Sequence, residues 1–419
     1  MSRDLPFVLG FAWLERGKLK REKHRISFVS THAVQYLSPI LQRMVKHPQL
    51  DIQAAYCSLQ GAQPGVDPDF GIEVAWDIPL LEGYPWVQVP NLSWCPGLGR
   101  FWGLYNPGLW TLIRTGGFDA VVLFTGYRYA SFWIALAAAK FSGKAVLFGT
   151  DATELTARDG RGWKSAFKRW FWPAIFRQAD VIITLSTRGA AMMRTLGLPA
   201  ERIAMTPYVV DNDWWSERAA KVDRAAVRRA WGVPEDAVVV LFCAKLQPWK
   251  RPQDLLRAFA AARIPGAYLM FAGEGPLRAE LEAEAHSLGL GNQVRFLGFA
   301  NQTQLPEIYR ASDLMVLPSE YEPFGLVVNE AMLCGCPVAV SDRVGAGDDL
   351  VSPGQNGFVF PVGDIAALAD ILRTALSAPA HLRELGDAAR HRMLTWAPTD
   401  YIDALVRAIA LACELKDAN

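Results

Sequence analysis

Neither sign of charge dominates this chain. Its 43 lysines and arginines stand against 42 aspartates and glutamates, for a net charge of +1. That balance gives no global field to attract nucleic acid, so any anion site has to be local. Apolar runs long enough to cross a bilayer are also missing. The start, "MSRDLPFVLGFAWLERGKLKREKHR", holds an apolar stretch of roughly ten residues, about half a span, followed by bases rather than a small-residue cleavage site. It reads as an N-terminal extension, not a secretory signal. Six histidines show neither HxH nor HExxH spacing, so no metal site is signalled. Six cysteines, at 57, 95, 243, 334, 336 and 413, form no CxxC with a partner. Buried free thiols in a reducing compartment follow. The expectation is a cytoplasmic protein, with contact at the inner membrane face left open.

What is present is enough apolar material for two cores: 51% of 419 residues are hydrophobic and 20% charged. Short β-rich runs alternate with helical patterns throughout. In the first half the strands are expected at 25–30, 51–58, 120–126, 144–151, 181–186 and 202–207. In the second they are expected at 237–246, 267–275, 294–299, 314–319, 337–342 and 357–362. Uninterrupted apolar strands between helices predict parallel sheets covered on both faces. The polar stretch 211–236 reads as a connector, and 397–417 as one amphipathic helix with Ile402, Leu405, Ile409 and Leu411 or Cys413 toward a core. The fold class is α/β, two doubly wound halves across a cleft, and ligands in such sheets sit beyond the carboxyl ends of the strands.

The loops after those strands carry the chemistry. "SEYEPFGLVVNEAM" (319–332) places Glu322 on a loop and Glu330 one turn inside a helix expected at 326–335. Between them, Gly325 permits close backbone approach. The N–H groups of Phe324, Gly325 and Leu326 open the helix, where partial positive charge favours a phosphate. Glu330 leans back toward that mouth. A carboxylate beside a phosphate is sensible when the ligand also carries sugar hydroxyls. Alone, a Glu-x7-Glu is ordinarily an exposed pair flanking a turn. "FCAKLQPWKRPQDLL" supplies Lys245 and Lys250, two cations suited to a diphosphate that gains charge as it leaves, or else two solvated lysines. "FAGEGPLRAEL" sets Gly273 and Glu274 in a tight turn after a strand, and "GFANQ" (298–302) follows the next strand in the same way.

Taken in order, "CAKLQPWKRP", "FAGEGPLR", "VRFLGF", "YRASDLMVLPSEYEPFGLVVNEAMLCGCPVAVSD" and "VGAGDDLVSPGQNGFVFPVGD" resemble the retaining glycosyltransferases of the GT-B fold, family four (glycosyl transferases group 1), over residues 180 to 395. The resemblance implies two Rossmann-like domains: residues 1–215 with 397–419 for the acceptor, and 216–396 for the nucleotide sugar. The last helix would cross back onto the first domain. It implies that Glu322 contacts the transferred hexose, Glu330 the ribose, Phe324 to Leu326 the diphosphate through backbone N–H, and Lys245 and Lys250 the same diphosphate. Catalysis is expected to be a front-face displacement without metal or cofactor, the nucleotide-diphosphate sugar being a co-substrate. Ala244-Lys245-Leu246 stands where the family usually has Gly-Arg-Leu, which keeps charge but loses arginine's fork.

The first half departs further. Its first strand leads into "STHAVQYLSP" instead of a Gly-Gly loop, and "FTGYRYAS" lacks the histidine many members carry. His32, Arg128 and Asp151 are the candidates there for acceptor or cleft. The acceptor is expected to be a glycan, lipid or small molecule. A sugar-nucleotide epimerase and a non-catalytic sugar-nucleotide-binding protein remain alternatives. One further stretch, 161–180, interleaves Trp163, Phe167, Trp170 or Phe171 and Ala174 or Ile175 with Lys164, Lys168, Arg169 and Arg177. It reads either as an interfacial helix on anionic lipid or as a core helix with snorkelling bases.

Overall fold

The computed structural model describes residues 23–67, 71–155 and 162–418. The N-terminal extension therefore lies almost wholly outside the described residues, as does the first residue of 161–180. Strands form where apolar runs are continuous: Ala120–Leu123, Val181–Thr184, Val239–Cys243, Leu314–Leu317 and Val338–Ser341 are buried at every position. Such runs fit only strands covered on both faces, and every pairing in the two large sheets is parallel.

The first sheet has seven strands, ordered Trp86–Gln88, Leu50–Tyr56, His24–Ser30, Ala120–Leu123, Ala145–Thr150, Val181–Thr184, Ile203–Met205. The second has six, ordered Val294–Gly298, Tyr268–Ala272, Val239–Cys243, Leu314–Leu317, Val338–Ser341, Gly357–Phe360. In each, the chain runs outward from the first strand, returns, and continues on its other side. That reversal is the doubly wound switch, and it opens a crevice between the first and fourth strands of each sheet. Sequence patterning finds every strand of the second sheet. It misses the edge strand Trp86–Gln88 and the hairpin of Gly65–Asp67 with Ile72–Val74, because three residues of mixed exposure show no period.

An aspartate just before a strand ties the end of each sheet away from the cleft. Asp119 accepts from the Arg25 amide at 2.7 Å, Asp180 from Val146 at 2.8 Å and Asp313 from Val239 at 2.7 Å. Asp313 also binds Arg224 and Arg228, and Arg228 is 2% exposed. The stretch 211–236 is therefore more than a polar connector. Its two helices, Asn212–Ala220 and Arg224–Ala230, pack on the Leu305–Ala311 helix of the second unit.

The Pro398–Asp417 helix packs on the first sheet, against Ala145–Thr150 and Val181–Thr184. Ile402, Leu405, Ile409 and Ala412 are buried, and Leu411 and Cys413, both half-buried, pack against the same core. The two units meet at three places. Trp396 donates through Nε1 to the Tyr208 carbonyl at 2.7 Å, and Asn212 donates to the Met393 carbonyl at 2.9 Å, where the chain crosses twice. On one flank Asn301 donates to the Ala75 carbonyl at 2.6 Å and Trp76 meets Phe299. On the other Arg188 donates to Asp348 at 2.8 Å.

Candidate functional site

Facing carboxyl edges of the two sheets enclose a cleft of about 480 Å³. Its charged second-unit wall comes from the loops after Val239–Cys243 and Leu314–Leu317, the two strands that flank the switch point, and the loops after Tyr268–Ala272 and Val294–Gly298 add Gly273, Phe299, Ala300 and Gln302. Lys245 and Lys250 follow Val239–Cys243, and Glu322 to Glu330 follow Leu314–Leu317.

The Lys250 loop is a 3-10 turn, Pro248–Lys250, ended by Arg251 in a left-handed conformation with φ 53°. Arg251 is held there by Asp254 at 2.5 Å and Glu320 at 3.2 Å, and the Glu320 amide donates to the Trp249 carbonyl at 2.8 Å. The two loops are thus stapled together. Lys250 meets the Glu322 carboxylate in an ion pair, both side chains being largely buried.

The Pro323-Phe324-Gly325 turn is clamped from below. Gly345 and Ala346 donate their amides to the carbonyls of Glu322 and Phe324 at 3.0 and 2.9 Å. A Cβ at Gly345 would lie 2.0 Å from the Pro323 carbonyl oxygen, so only glycine allows that approach. Gly325 itself has φ 97°. The amides of Phe324 to Leu326 precede the first turn of the Val327–Leu333 helix, where helical geometry gives N–H groups no acceptor. The helix is shorter than the expected 326–335, because Leu326 serves as its cap and Cys334 closes it. The Phe324 ring stacks on Trp396 at 6.2 Å and tilts against Tyr208 at 5.3 Å, which anchors the turn to the double chain crossing.

Glu330 faces the cleft from the helix yet is 8% exposed. Burial pushes its carboxyl up to about 8, opposed by the Tyr309 hydroxyl, which donates to it at 2.8 Å. A largely protonated Glu330 near neutral pH is the consequence. Ligand hydroxyls donating to it would favour the ionised form, so binding there would release a proton.

Gly273 lines the same cleft, and a Cβ on it would lie 2.0 Å from the Ala244 carbonyl oxygen. That glycine keeps two neighbouring strand-end loops in contact. Glu274 does not line the cleft; its carboxylate pairs with Arg278, one helical turn on.

The first-unit wall is Gln35, Tyr36, Trp76, Asp151 and Tyr208. Asp151 is there, as expected. His32 is not: it lines a neighbouring cavity of about 130 Å³ that shares Tyr36 and Tyr208 with the cleft. Its Nδ1 lies 2.9 Å from the Thr31 hydroxyl, and burial lowers its pKa. Arg128 sits outside both, exposed, donating to the Gly99 carbonyl at 3.2 Å. Burial raises the pKa of Tyr36 and of Tyr208, and Asp151 adds to both shifts. Sequence reasoning missed Tyr36, Trp76 and Tyr208. Tyr36 follows the first strand and was within reach of the switch-point rule; Trp76 and Tyr208 arrive from irregular segments that carry no such signal.

Two Rossmann-like domains meeting across such a cleft define the GT-B architecture. HepE of Anabaena, solved in complex with UDP and glucose, superposes with a TM-score of 0.69 over 92% of this chain and 98% of its own, at 20% identity. A glycosyltransferase of Rickettsia africae gives a TM-score of 0.71 over 92% and 98%, at 14% identity.

Residues 223–392 match the family described as glycosyl transferases group 1, and residues 19–209 match the glycosyl transferase 4-like domain. The chain belongs to the group 1 glycosyltransferases of the GT-B fold. The D-inositol 3-phosphate glycosyltransferase of Mycolicibacterium smegmatis is 36% identical over 195 residues, 45% of this chain and 44% of its own. D-inositol 3-phosphate glycosyltransferase 2 of Catenulispora acidiphila is 35% identical over 223 residues, 50% and 51%. The chain thus spans about half the length of the curated relatives it matches.

Proposed function

We propose that this chain is a retaining glycosyltransferase moving a hexose-type sugar from a nucleotide-diphosphate sugar, UDP- or GDP-linked, to a hydroxyl of a glycan, lipid or small molecule. One observation carries this reading. Two lysines, two carboxylates and a glycine-opened helix mouth gather in a single cleft from the loops that flank the second sheet's switch point. The division between an acceptor domain, 1–215 with 397–419, and a donor domain, 216–396, belongs to the same reading.

In this scheme the amides of Phe324 to Leu326 and the ammonium groups of Lys245 and Lys250 take the diphosphate, and Glu330 takes the ribose diol. The Lys250–Glu322 pair gives the ligand something to exchange. A bound donor offers phosphate oxygen to Lys250 and sugar hydroxyls to Glu322, so both groups keep a partner. As the bond to the sugar breaks, negative charge grows on the diphosphate, where fixed cations and dipoles stabilise it without a metal. Displacement proceeds on the front face, with the leaving phosphate oxygen accepting the acceptor's proton. Peripheral membrane contact through 161–180 fits a lipid-borne acceptor.

A thermal-shift panel of UDP, GDP and their sugar derivatives tests the donor half. A true donor raises the melting temperature by mass action; no response to any nucleotide sinks the proposal. Product analysis with a panel of acceptors, inositol phosphates included, tests transfer. Conversion of the donor's sugar without transfer would instead mark an epimerase.

A further inference from the structure

Among the described residues, nine of the eleven large hydrophobic side chains that stay exposed fall between residues 86 and 170. Several make one tract. Trp94 is 70% exposed and lies 5.3 Å from Trp102, which meets Phe101 edge-on. The same loop reaches Arg128 through the Gly99 carbonyl, and neighbouring Tyr127 packs on Phe171. Phe171 stacks on Phe167 and Trp170, the latter 76% exposed. The Gly162–Phe176 helix therefore divides in an unexpected way. Of the expected stripe, Ile175 joins Trp172 and Phe176 on the core face with Phe171 half-buried beside them, while Phe167, Trp170 and Ala174 face outward.

Basic residues predominate around this tract, the acids of the intervening stretch 151–159 being Asp151, Glu154 and Asp159. From Gly83 to Thr150 the sole acid is Asp119, and from Gly160 to Ala179 there is none. Asp119 sits at the opposite end of the sheet, bound to the Arg25 amide. Arg100, Arg128 and Arg169 are exposed along the tract. Its Trp94–Trp102 and Arg128 parts follow the Trp86–Gln88 and Ala120–Leu123 strands, so they lie on the carboxyl edge that also presents Asp151 to the cleft.

We infer that this rim of the first domain docks on an anionic lipid bilayer, with Trp94, Phe101, Trp102, Phe167 and Trp170 in the interfacial layer and the arginines against the headgroups. Tryptophan favours that layer because its ring is apolar and its N–H polar. Basic side chains beside it gain from the surface potential of anionic lipid. The excess of arginine over acid along the described tract, beside exposed tryptophans, favours an anionic bilayer as its occupant. Docking brings the cleft mouth to the membrane surface, so the acceptor is membrane-borne. That last step rests on the proposed transferase activity; the docking does not.

Vesicles of phosphatidylcholine alone, and mixed with phosphatidylglycerol, are sedimented with the whole chain and with the double variant Trp94→Ser, Trp170→Ser. Co-sedimentation is expected with the anionic vesicles only, weaker at high salt, and lowered about ten-fold or more in the variant. The variant should keep the nucleotide-induced thermal shift, which shows that it is folded. Equal binding to both vesicles, binding to neither, or binding unaffected by the substitutions overturns docking. So does a dimer in sedimentation velocity that the double variant breaks, since a second copy then owns the surface. Vesicle binding without any nucleotide response upholds docking and rejects the transferase.

Discussion

The two walls of the cleft are built on different principles. On the second domain, chemistry is concentrated in loops beside the switch point: Lys245, Lys250, Glu322 and Glu330 are set by short turns, a left-handed arginine and obligatory glycines. On the first domain, the wall is Gln35, Tyr36, Trp76, Asp151 and Tyr208, one acid among neutral groups drawn from four separate segments. A diphosphate and two sugars demand particular residue types at particular spacings. An acceptor hydroxyl demands only a shaped approach. Under the proposed function, the difference teaches that the donor half of the site carries a sequence signature and the acceptor half carries shape.

The contrast can be broken most directly by truncating its charged centre. Glu322→Ala and Lys250→Ala should each lower turnover by about 10²- to 10³-fold, the loss expected when a fixed electrostatic partner is removed. Steady-state kinetics check this, with thermal melts to show that the fold survives. Near-normal turnover of either variant would remove that side chain from the site.

Next is pH. The Glu330 carboxyl lies at about 8 in the folded protein, above its ordinary value. The folded chain thus holds a proton that the unfolded chain has released, so stability declines as pH rises through the carboxylate range toward 8. One proton sets a ceiling of about 1.4 kcal/mol per pH unit. Glu330→Gln should flatten this decline, read by urea melts at several pH values, while weakening nucleotide binding. In the wild type, calorimetry in buffers of different ionisation enthalpy should detect proton release on nucleotide binding; no buffer dependence would separate the ligand from Glu330.

A smaller effect is expected at Gly325. Alanine there has to adopt φ near 97° and bring its Cβ to 3.0 Å from Glu322 Cγ, so a loss on the order of 1–3 kcal/mol should appear in denaturant melts. Arg128→Ala, on the opposite domain and outside the cleft, should change stability by about 0.5 kcal/mol or less and leave donor binding untouched. A large loss of donor binding in that variant would erase the distinction between the walls.

The second sheet was legible strand by strand because each run is uniformly apolar, and its site was legible because Glu322, Pro323, Gly325 and Glu330 fall in one short stretch. Glu274 was misleading for a physical reason. The glycines around it belong to a close approach of loops, and its carboxylate is satisfied by Arg278, the first residue of the helix that follows. His32 follows the right strand, yet burial beside Thr31 turns it into an adjoining cavity. Trp76 lies between a short hairpin and an edge strand, where no periodicity exists to read.

The sequence alone determines that this chain forms two doubly wound parallel sheets and that Lys245, Lys250, Glu322 and Glu330 follow the strands beside the second sheet's switch point. Local pattern is enough there, since apolar runs, glycines and helix starts act within a few residues of themselves. Tertiary structure decided the rest. It paired Lys250 with Glu322 across 72 residues, buried Glu330 against Tyr309, and turned Phe167 and Trp170 of the Gly162–Phe176 helix outward. Each depends on which surfaces meet when the two sheets close, and burial and Coulomb energies act between residues the chain separates.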